Sequence, residues 1–336
     1  MPILGTGVVP SGGLGQELQY VVRRAFVPKM VVQIYNMSPL TAALLANSQP
    51  ATGGVSSVTI PAQGSSFVNL QWVGYDGSFA QPQIQPGTTN LEFNLKGAVI
   101  PIPYLGFEGM IQQDHEIVNL LAARFNDASN VYCDGLGTAL YGNSANQQQI
   151  IGLPGAIDDG TNSVNYGNQS RTVNPWLKAK RYNAGGVNPT RALVMQYITG
   201  TVKNCGETPT FGVMGPATWQ TLANDFLGLE RFNQNGNGEA YGSGEYGGRS
   251  AFKAIEVAGV PIYLDPYCPE GTMYLLNTGY MAFYIHERAA FSFTGFQSTL
   301  PNFQLGSIGA VVSLLELVNS KPKTSTVVTN FTFISI

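Results

Sequence analysis

The sequence predicts an α+β chain, and three patterns carry that expectation. Apolar residues step by three or four through residues 104–141, as on one face of a long amphipathic helix. Shorter runs at residues 55–60, 90–95 and 326–336 alternate apolar and polar, the period-two mark of strands. Between such elements lie stretches rich in Gly, Asn and Pro that offer nothing to a core.

The elements follow in order. Residues 1–28 open on Gly and Pro and then enter a helical pattern through Leu18, Val21, Val22 and Ala25, which Pro28 stops. Arg23 and Arg24 are the only basic pair there; they form either a solvated helix face or an arm that docks on a neighbour. Residues 52–97 read as a long hairpin, with the turn formers Asp76-Gly77, Pro82, Pro86 and Gly87 between its alternating runs. Its tip holds too little apolar content to bury itself, so it is either mobile or laid on another subunit. Trp72 and Tyr75 read as anchors for that contact, with Phe79 beside them, because Trp and Tyr dominate interface energetics.

The helical face of 104–141 runs through Phe107, Met110, Ile111, Ile117, Val118, Leu121, Phe125, Ala128, Tyr132, Leu136 and Leu140. About thirty-five residues at about 1.5 Å each make a rod of roughly 50 Å. Pro101 and Pro103 precede it, Gly142 stops it, and Gly135 and Gly137 weaken its last turns. Residues 142–182 are loop-rich, with turns at Gly152-Leu153-Pro154-Gly155 and Asp158-Asp159-Gly160. A second α/β region follows: helix 190–202, strand 209–214, and helix 216–226 with Pro in its first turn. The Gly- and Asn-rich loop 228–249 carries Tyr241 and Tyr246. Strands are expected at 254–257, 260–264, 273–276 and 281–285, and a mostly β tail spans 291–336.

Composition narrows the function. Only 11% of the 336 residues are charged, against roughly 25% in ordinary soluble proteins. A chain so sparsely charged, without a membrane-like segment, is expected to hide surface against partner subunits, since interface cores are depleted of charge. The net charge of −3 argues against a protein built to grip nucleic acid, but not against a container that holds DNA loosely. Residues 1–15 lack a basic region and a compact apolar run, so no signal peptide is expected. The longest apolar stretch, residues 308–318, is interrupted by Ser313 and Glu316 and is too short for a bilayer. Cys133, Cys205 and Cys268 form an odd, scattered set, read as buried thiols of a reducing compartment. The glycosylation-type triplets at Asn36, Asn168 and Asn330 read as chance without a secretory signal.

No catalytic, metal or cofactor site is expected. Two histidines and three distant cysteines give no zinc spacing. His286-Glu287-Arg288-Ala289-Ala290 starts like a metalloprotease helix but has Ala290 where a second His is needed, and it leaves a predicted strand. Gly135 and Gly137 close a helix instead of opening one, the wrong setting for phosphate. There is no nucleophile elbow, and His115 with Asp114 and Glu116 reads as a solvated helix segment. Asp158 and Asp159 read as a turn before a cation site.

This order of parts resembles the HK97-like major capsid proteins of tailed double-stranded DNA bacteriophages. Three segments carry the resemblance: FNLKGAVIPIPYLGFEGMIQQDHEIVNLLAARFNDASNVYCDGLGTALYGN with the Ile151-Gly152-Leu153-Pro154-Gly155 that follows; GVMGPATWQTLAND at 212–225; and AFKAIEVAGVPIYLDPYCPEGTMYLLNTGYMAFYI at 251–285. The resemblance implies an α+β fold with an N-terminal arm (1–50), an extended hairpin or E-loop (51–97), a P-domain with a spine helix (98–182 and 286–336) and a compact A-domain (183–285). It further implies pentamers and hexamers closing a virion shell around packaged DNA that is held weakly and without sequence preference. The shell protein would be made in the bacterial host's cytoplasm, with portal and scaffolding proteins and a decoration protein as expected partners. With about fifty residues before the hairpin, scaffolding is expected as a separate chain or not at all. The expected contacts between subunits are Arg23, Arg24, Trp72, Tyr75, Phe79, Tyr241 and Tyr246. Some members cross-link a hairpin Lys to a neighbour's Asn; here residues 61–91 contain no Lys and Lys96 lies at the base, so a non-covalent shell is expected. Within the same fold the alternative is an encapsulin-type nanocompartment shell. From another class, a carbohydrate-binding or polysaccharide-active β protein predicts a carboxylate pair in a cleft and a monomer.

Overall fold

The computed structural model describes residues 38–51, 56–64, 72, 73, 75, 77, 88–105, 114–142, 148–230, 254–298 and 306–334. Helix α1 (Pro39–Ala46) leads into strand β1 (Gln49–Ala51). A hairpin of β2 (Ser57–Gln63) and β3 (Thr88–Asn94) passes directly into β4 (Lys96–Leu105). Helix α2 (Asp114–Tyr141), one turn of helix α3 (Leu153–Ala156) and a small hairpin of β5 (Asn165–Tyr166) and β6 (Gln169–Ser170) follow. Next come β7 (Lys180–Asn183), α4 (Arg191–Cys205), β8 (Phe211–Met214), α5 (Pro216–Glu230), β9 (Ala254–Val257), β10 (Val260–Leu264) and β11 (Met273–Leu276). The last elements are β12 (Met281–His286), β13 (Ser292–Phe293), β14 (Gln297–Ser298), β15 (Gly306–Asn319) and β16 (Thr326–Thr329).

Two sheets organise these strands. In the first, β1, β12, β15 and β13 are neighbours in that order, and β14 and β4 also pair with β15. Strand β15 is its axis, antiparallel to β4 from Gly306 opposite Leu105 to Leu315 opposite Lys96. This is the stretch read as the longest apolar run. Its interruptions, Ser313 and Glu316, are both buried, and Val311, Leu315 and Leu317 are buried with them. Helix α2 lies on this sheet through Phe125 and Ala128, which meet Ile102, Phe293 and Val311. The second sheet runs β7-β16-β11-β8-β10-β9. Its core joins Val213 and Leu276 to the first sheet's residues, and Met214, Ile262, Met273, Leu275 and Val328 to Val194, Ile198 and Leu222 of α4 and α5.

Local signals explain several boundaries. Thr190 caps α4 by accepting from the Leu193 N–H, and Gly206 ends it with φ of 79°. Helix α1 was not expected, yet its start is ordinary: the Ser38 hydroxyl accepts from the Thr41 N–H and Pro39 fills the first turn. The strand expected over 326–336 stops at Thr329, because Asn330 adopts φ of 66°, outside the extended region.

The long helix does not begin at residue 104. Tyr104 and Leu105 belong to β4, and Phe107, Met110 and Ile111 lie outside the described residues. The 28 residues of α2 make a rod of about 42 Å. The cause is a period-two register: Ile100 and Ile102 face α2 while Pro101 and Pro103 alternate with them. Proline is tolerated because β4 is an edge strand and the missing N–H groups point away from β15. The Pro103 carbonyl indeed accepts from Arg124 at 2.7 Å, and Ala310, opposite Pro101, exchanges hydrogen bonds with Thr294 instead.

Sheet membership also crosses the sequence-based boundaries. Strand β12 was grouped with 183–285 but lies in the first sheet, and β16 was grouped with 286–336 but lies in the second. Strand β7 straddles residue 182 and pairs with β16. Strand periodicity fixes which face is buried, whereas the choice of neighbour is made only when distant segments meet.

Candidate assembly surfaces

The hairpin is anchored at its root. Strands β2 and β3 pair from Ser57 opposite Asn94 to Gln63 opposite Thr88. Leu91 and Phe93 are fully buried, and Phe93 meets the edge of Tyr166 at 5.1 Å between ring centroids. The β5–β6 turn grips the outer edge of β3: the Glu92 N–H donates to the Gly167 carbonyl and the Gln169 amide donates to the Asn90 carbonyl. Gly167, with φ of 56°, lets the turn approach this closely, since a Cβ there would lie 2.9 Å from Phe93.

A buried arginine holds that turn in place. Arg171, wholly inaccessible, donates to the carbonyls of Ser163, Gly155, Ala156 and Leu177, and its guanidinium lies 4.9 Å from the centre of the Tyr166 ring. Its counter-charge is Asp158, 3.9 Å away, whose Oδ2 also accepts from the N–H groups of Gly160, Asn162 and Ser163. Arg181 approaches the other carboxylate oxygen at 3.6 Å. The Asp158-Asp159-Gly160 turn is thus a charged hub inside a loop.

Beyond the root, the described apolar residues of the tip are exposed. Trp72 is 92% exposed and Tyr75 is fully exposed, with Val73 about half exposed. No described residue of the chain covers these rings. Of the other expected contacts, Arg23, Arg24, Phe79, Tyr241 and Tyr246 lie outside the described residues.

Helix α2 is fixed at both sheets. Tyr132 packs edge-on to Phe291 and its hydroxyl lies 2.9 Å from the Ser313 hydroxyl, with burial pushing the phenol up to about 12. At the C-terminal end Tyr141 donates to Asp265, which also accepts from Ser38 and from the Tyr267 N–H. Burial raises the Asp265 carboxyl, against the pull of those hydrogen bonds. Tyr267 donates to Asp134 and lays its ring on the helix backbone at Gly137, where a Cβ would sit 2.7 Å from the ring. The glycine read as a weakness in the helix is the place where the second sheet docks.

A second uncovered surface is the face of β4 and β15 turned away from α2. It pairs Gly97 with Leu314, Val99 with Val312, Pro101 with Ala310 and Pro103 with Ile308. Val99 is 60% exposed and Ile308 43%. None of these eight residues is charged, and the prolines close the edge to strand addition.

The reactive groups are otherwise engaged. Glu316 is buried; its Oε1 accepts from the Ile151 N–H at 2.6 Å and the Leu317 N–H at 3.1 Å, and burial raises the carboxyl to about 7. Burial lifts the Cys133 thiol to about 11 and raises Cys268 well above its ordinary value, so neither is a thiolate at neutral pH. Among the described residues no group of His, Cys, Asp and Glu could hold a metal ion. A cleft of about 380 Å³ lies between the α1–β1 turn, Ile60 and β12, and another of about 270 Å³ between β4 and α2; no carboxylate lines either. No helix among the described residues is long and apolar enough to cross a membrane. Such an arrangement can bind surfaces; neither cleft, among the described residues, brings a carboxylate to a second titrating group.

No protein-family profile and no curated protein sequence matches the chain. Solved structures do. The capsid of cyanophage A-1(L) superposes with a TM-score of 0.65 at 14% identity, over 88% of this chain and 93% of that one. The capsid of a native GTA particle gives 0.55 at 12% identity, over 87% and 90%. The holo-SrpI encapsulin complex of Synechococcus elongatus PCC 7942 gives 0.54 at 11% identity, over 93% and 92%. The chain therefore has the α+β HK97-like fold.

Proposed function

We propose that this chain, which has the HK97-like fold, is the major capsid protein of a tailed double-stranded DNA bacteriophage. Its copies form pentamers and hexamers that close an icosahedral or prolate shell around packaged DNA. The observation that carries this reading is the near end-to-end likeness to the cyanophage capsid. The exposed tip residues Trp72 and Tyr75 and the β4–β15 face support it, because each is a surface that one copy cannot bury by itself. The rotation relating neighbours closes rings, and rings tile a shell. The arm, hairpin, P-domain and A-domain divisions belong to this proposal, with strands β12 and β16 exchanged between the last two. So do the contacts assigned to Arg23, Arg24, Phe79, Tyr241 and Tyr246, the virion location, synthesis in the host cytoplasm, and the portal, scaffolding and decoration partners. Catalysis has no part in it.

The second reading is an encapsulin-type shell, favoured by the likeness to the Synechococcus encapsulin. Particles purified from the native source separate the two. Nuclease-protected double-stranded DNA in the particles supports the capsid; an enzyme cargo without DNA supports the compartment and overturns the first reading. Mature particles are expected to give one band on denaturing gels, and a ladder of covalent oligomers would contradict the non-covalent shell.

A further inference from the structure

The described cations are unevenly placed. Only Lys96, Arg124, Arg191 and Arg288 lie away from one region, formed by β7, the end of α4 and the turn before β16. Within that region three positive charges are answered internally. Arg171 and Arg181 face Asp158, and Lys321 pairs with Glu207, which also accepts from Tyr280 and Asn277. Asp159, the remaining acid there, accepts from the Thr161 N–H and lies in the field of Arg181.

Lys178, Lys180, Lys203 and Lys323 are left over; Lys178 lies by Gly160 and Arg171, and the other three group together. Among the described residues none has an ion-pair partner. The backbones of those three converge on one place. Lys180 is opposite Thr326 in the parallel β7–β16 pair, and the Thr326 hydroxyl lies 2.7 Å from that of Thr201, two residues before Lys203. The Asn204 amide, next along α4, donates to the Lys323 carbonyl. Lys180 lies over the ring of Tyr182, and that tyrosine packs on α4 at Gly200, one turn before Lys203. In a chain with net charge −3, this makes a local concentration of unpaired positive charge.

We propose that this cluster, Lys180, Lys203 and Lys323, is the surface through which the chain meets duplex DNA. The inference rests on the shell reading and says which face of the subunit meets the contents. Three ammonium groups suit phosphates of a backbone, as point charges without a fork for base edges. Single-strand binding would need exposed rings for stacking, and Tyr182 is instead packed against Tyr197 at 5.0 Å. Three contacts give weak, salt-sensitive binding that leaves the DNA free to move.

The test uses the full chain, before assembly, and a fluorescent 30-base-pair duplex. With about three phosphates neutralised, affinity should fall about 40-fold between 50 and 200 mM salt. K180E/K203E/K323E should bind at least about ten-fold more weakly at 50 mM with little salt dependence. K180Q/K203Q/K323Q should lose the same slope while melting like the parent, which removes misfolding as the cause. Unchanged binding by the reversal variant overturns the inference. So does an equal loss in R191E/R288E, which would mark bulk charge as the cause, or retention on phosphatidylglycerol vesicles without duplex binding. Shells that form normally from a chain that ignores duplex DNA would sink this inference alone and leave the shell reading standing.

Discussion

Replacing Glu316 by Gln should flatten the pH dependence of stability by a calculable amount. Glu316 is fully buried on β15, its Oε1 takes two backbone N–H groups, and its buried Oε2 has no hydrogen-bond partner. The charged neighbour that favours ionisation is Lys96, at the start of β4. Burial outweighs these and lifts the carboxyl from 4.5 to about 7. At about 1.4 kcal/mol per pH unit, that corresponds to about 3 kcal/mol. The sign follows from proton uptake. Between the unfolded and folded values the native state holds the proton and the unfolded state does not, so stability falls as pH rises from about 4.5 to about 7 and levels off above. E316Q keeps an oxygen for Ile151 and Leu317 but cannot ionise. Urea unfolding of the unassembled chain at pH 5 and pH 8 should show a difference smaller by about 3 kcal/mol in E316Q than in the parent. Asp265, also raised by burial, adds the same slope to both proteins and cancels. Identical slopes in the two proteins would refute the account of Glu316.

Three further changes test the scaffold. G135A and G137A should move stability in opposite directions: a Cβ at Gly135 meets nothing within 4 Å and gains about 1 kcal/mol of helix propensity, whereas at Gly137 it meets the Tyr267 ring and overpacking outweighs that gain by about 1 kcal/mol; thermal melts would show it. R171M should cost about 3–5 kcal/mol by leaving four buried carbonyls without their donor and Asp158 with Arg181 alone as counter-charge, and adding D158N should recover part of the loss in denaturant titrations. W72A/Y75A should leave the melting of the unassembled chain within about 0.5 kcal/mol of the parent, because both rings are in solvent, while lowering particle yield measured by sedimentation.

Legibility from sequence divided along a physical line. Elements set by local periodicity and capping could be read: β9, β10 and β11 fall where expected, and α4 starts on its Thr190 cap. The buried face of α2 through Phe125, Ala128, Tyr132, Leu136 and Leu140 was visible as spacing. Where two periods overlapped, the reading slipped: Ile100, Ile102 and Tyr104 continue a strand into what looked like the helix. Helix α1 had a legible signal in Ser38 and Pro39 but was too short for periodicity to mark. Arg171, Asp158, Asp265 and Glu316 were invisible as buried groups, because what buries them comes from residues up to 227 positions away, as Ser38 does for Asp265. The basic cluster at Lys180, Lys203 and Lys323 is equally a product of folding, since the overall charge of −3 conceals it. Trp72 and Tyr75 were singled out by residue type alone, and both are exposed in the single chain.

Electron cryo-microscopy of the overexpressed full chain bears most directly on the proposal that the protein functions by joining copies of itself. The account predicts closed particles with five-fold and six-fold clusters, in which Trp72 and Tyr75 of each copy are covered by an adjacent one. Single dispersed molecules at high concentration, or particles whose hairpin tips remain in solvent, would contradict it.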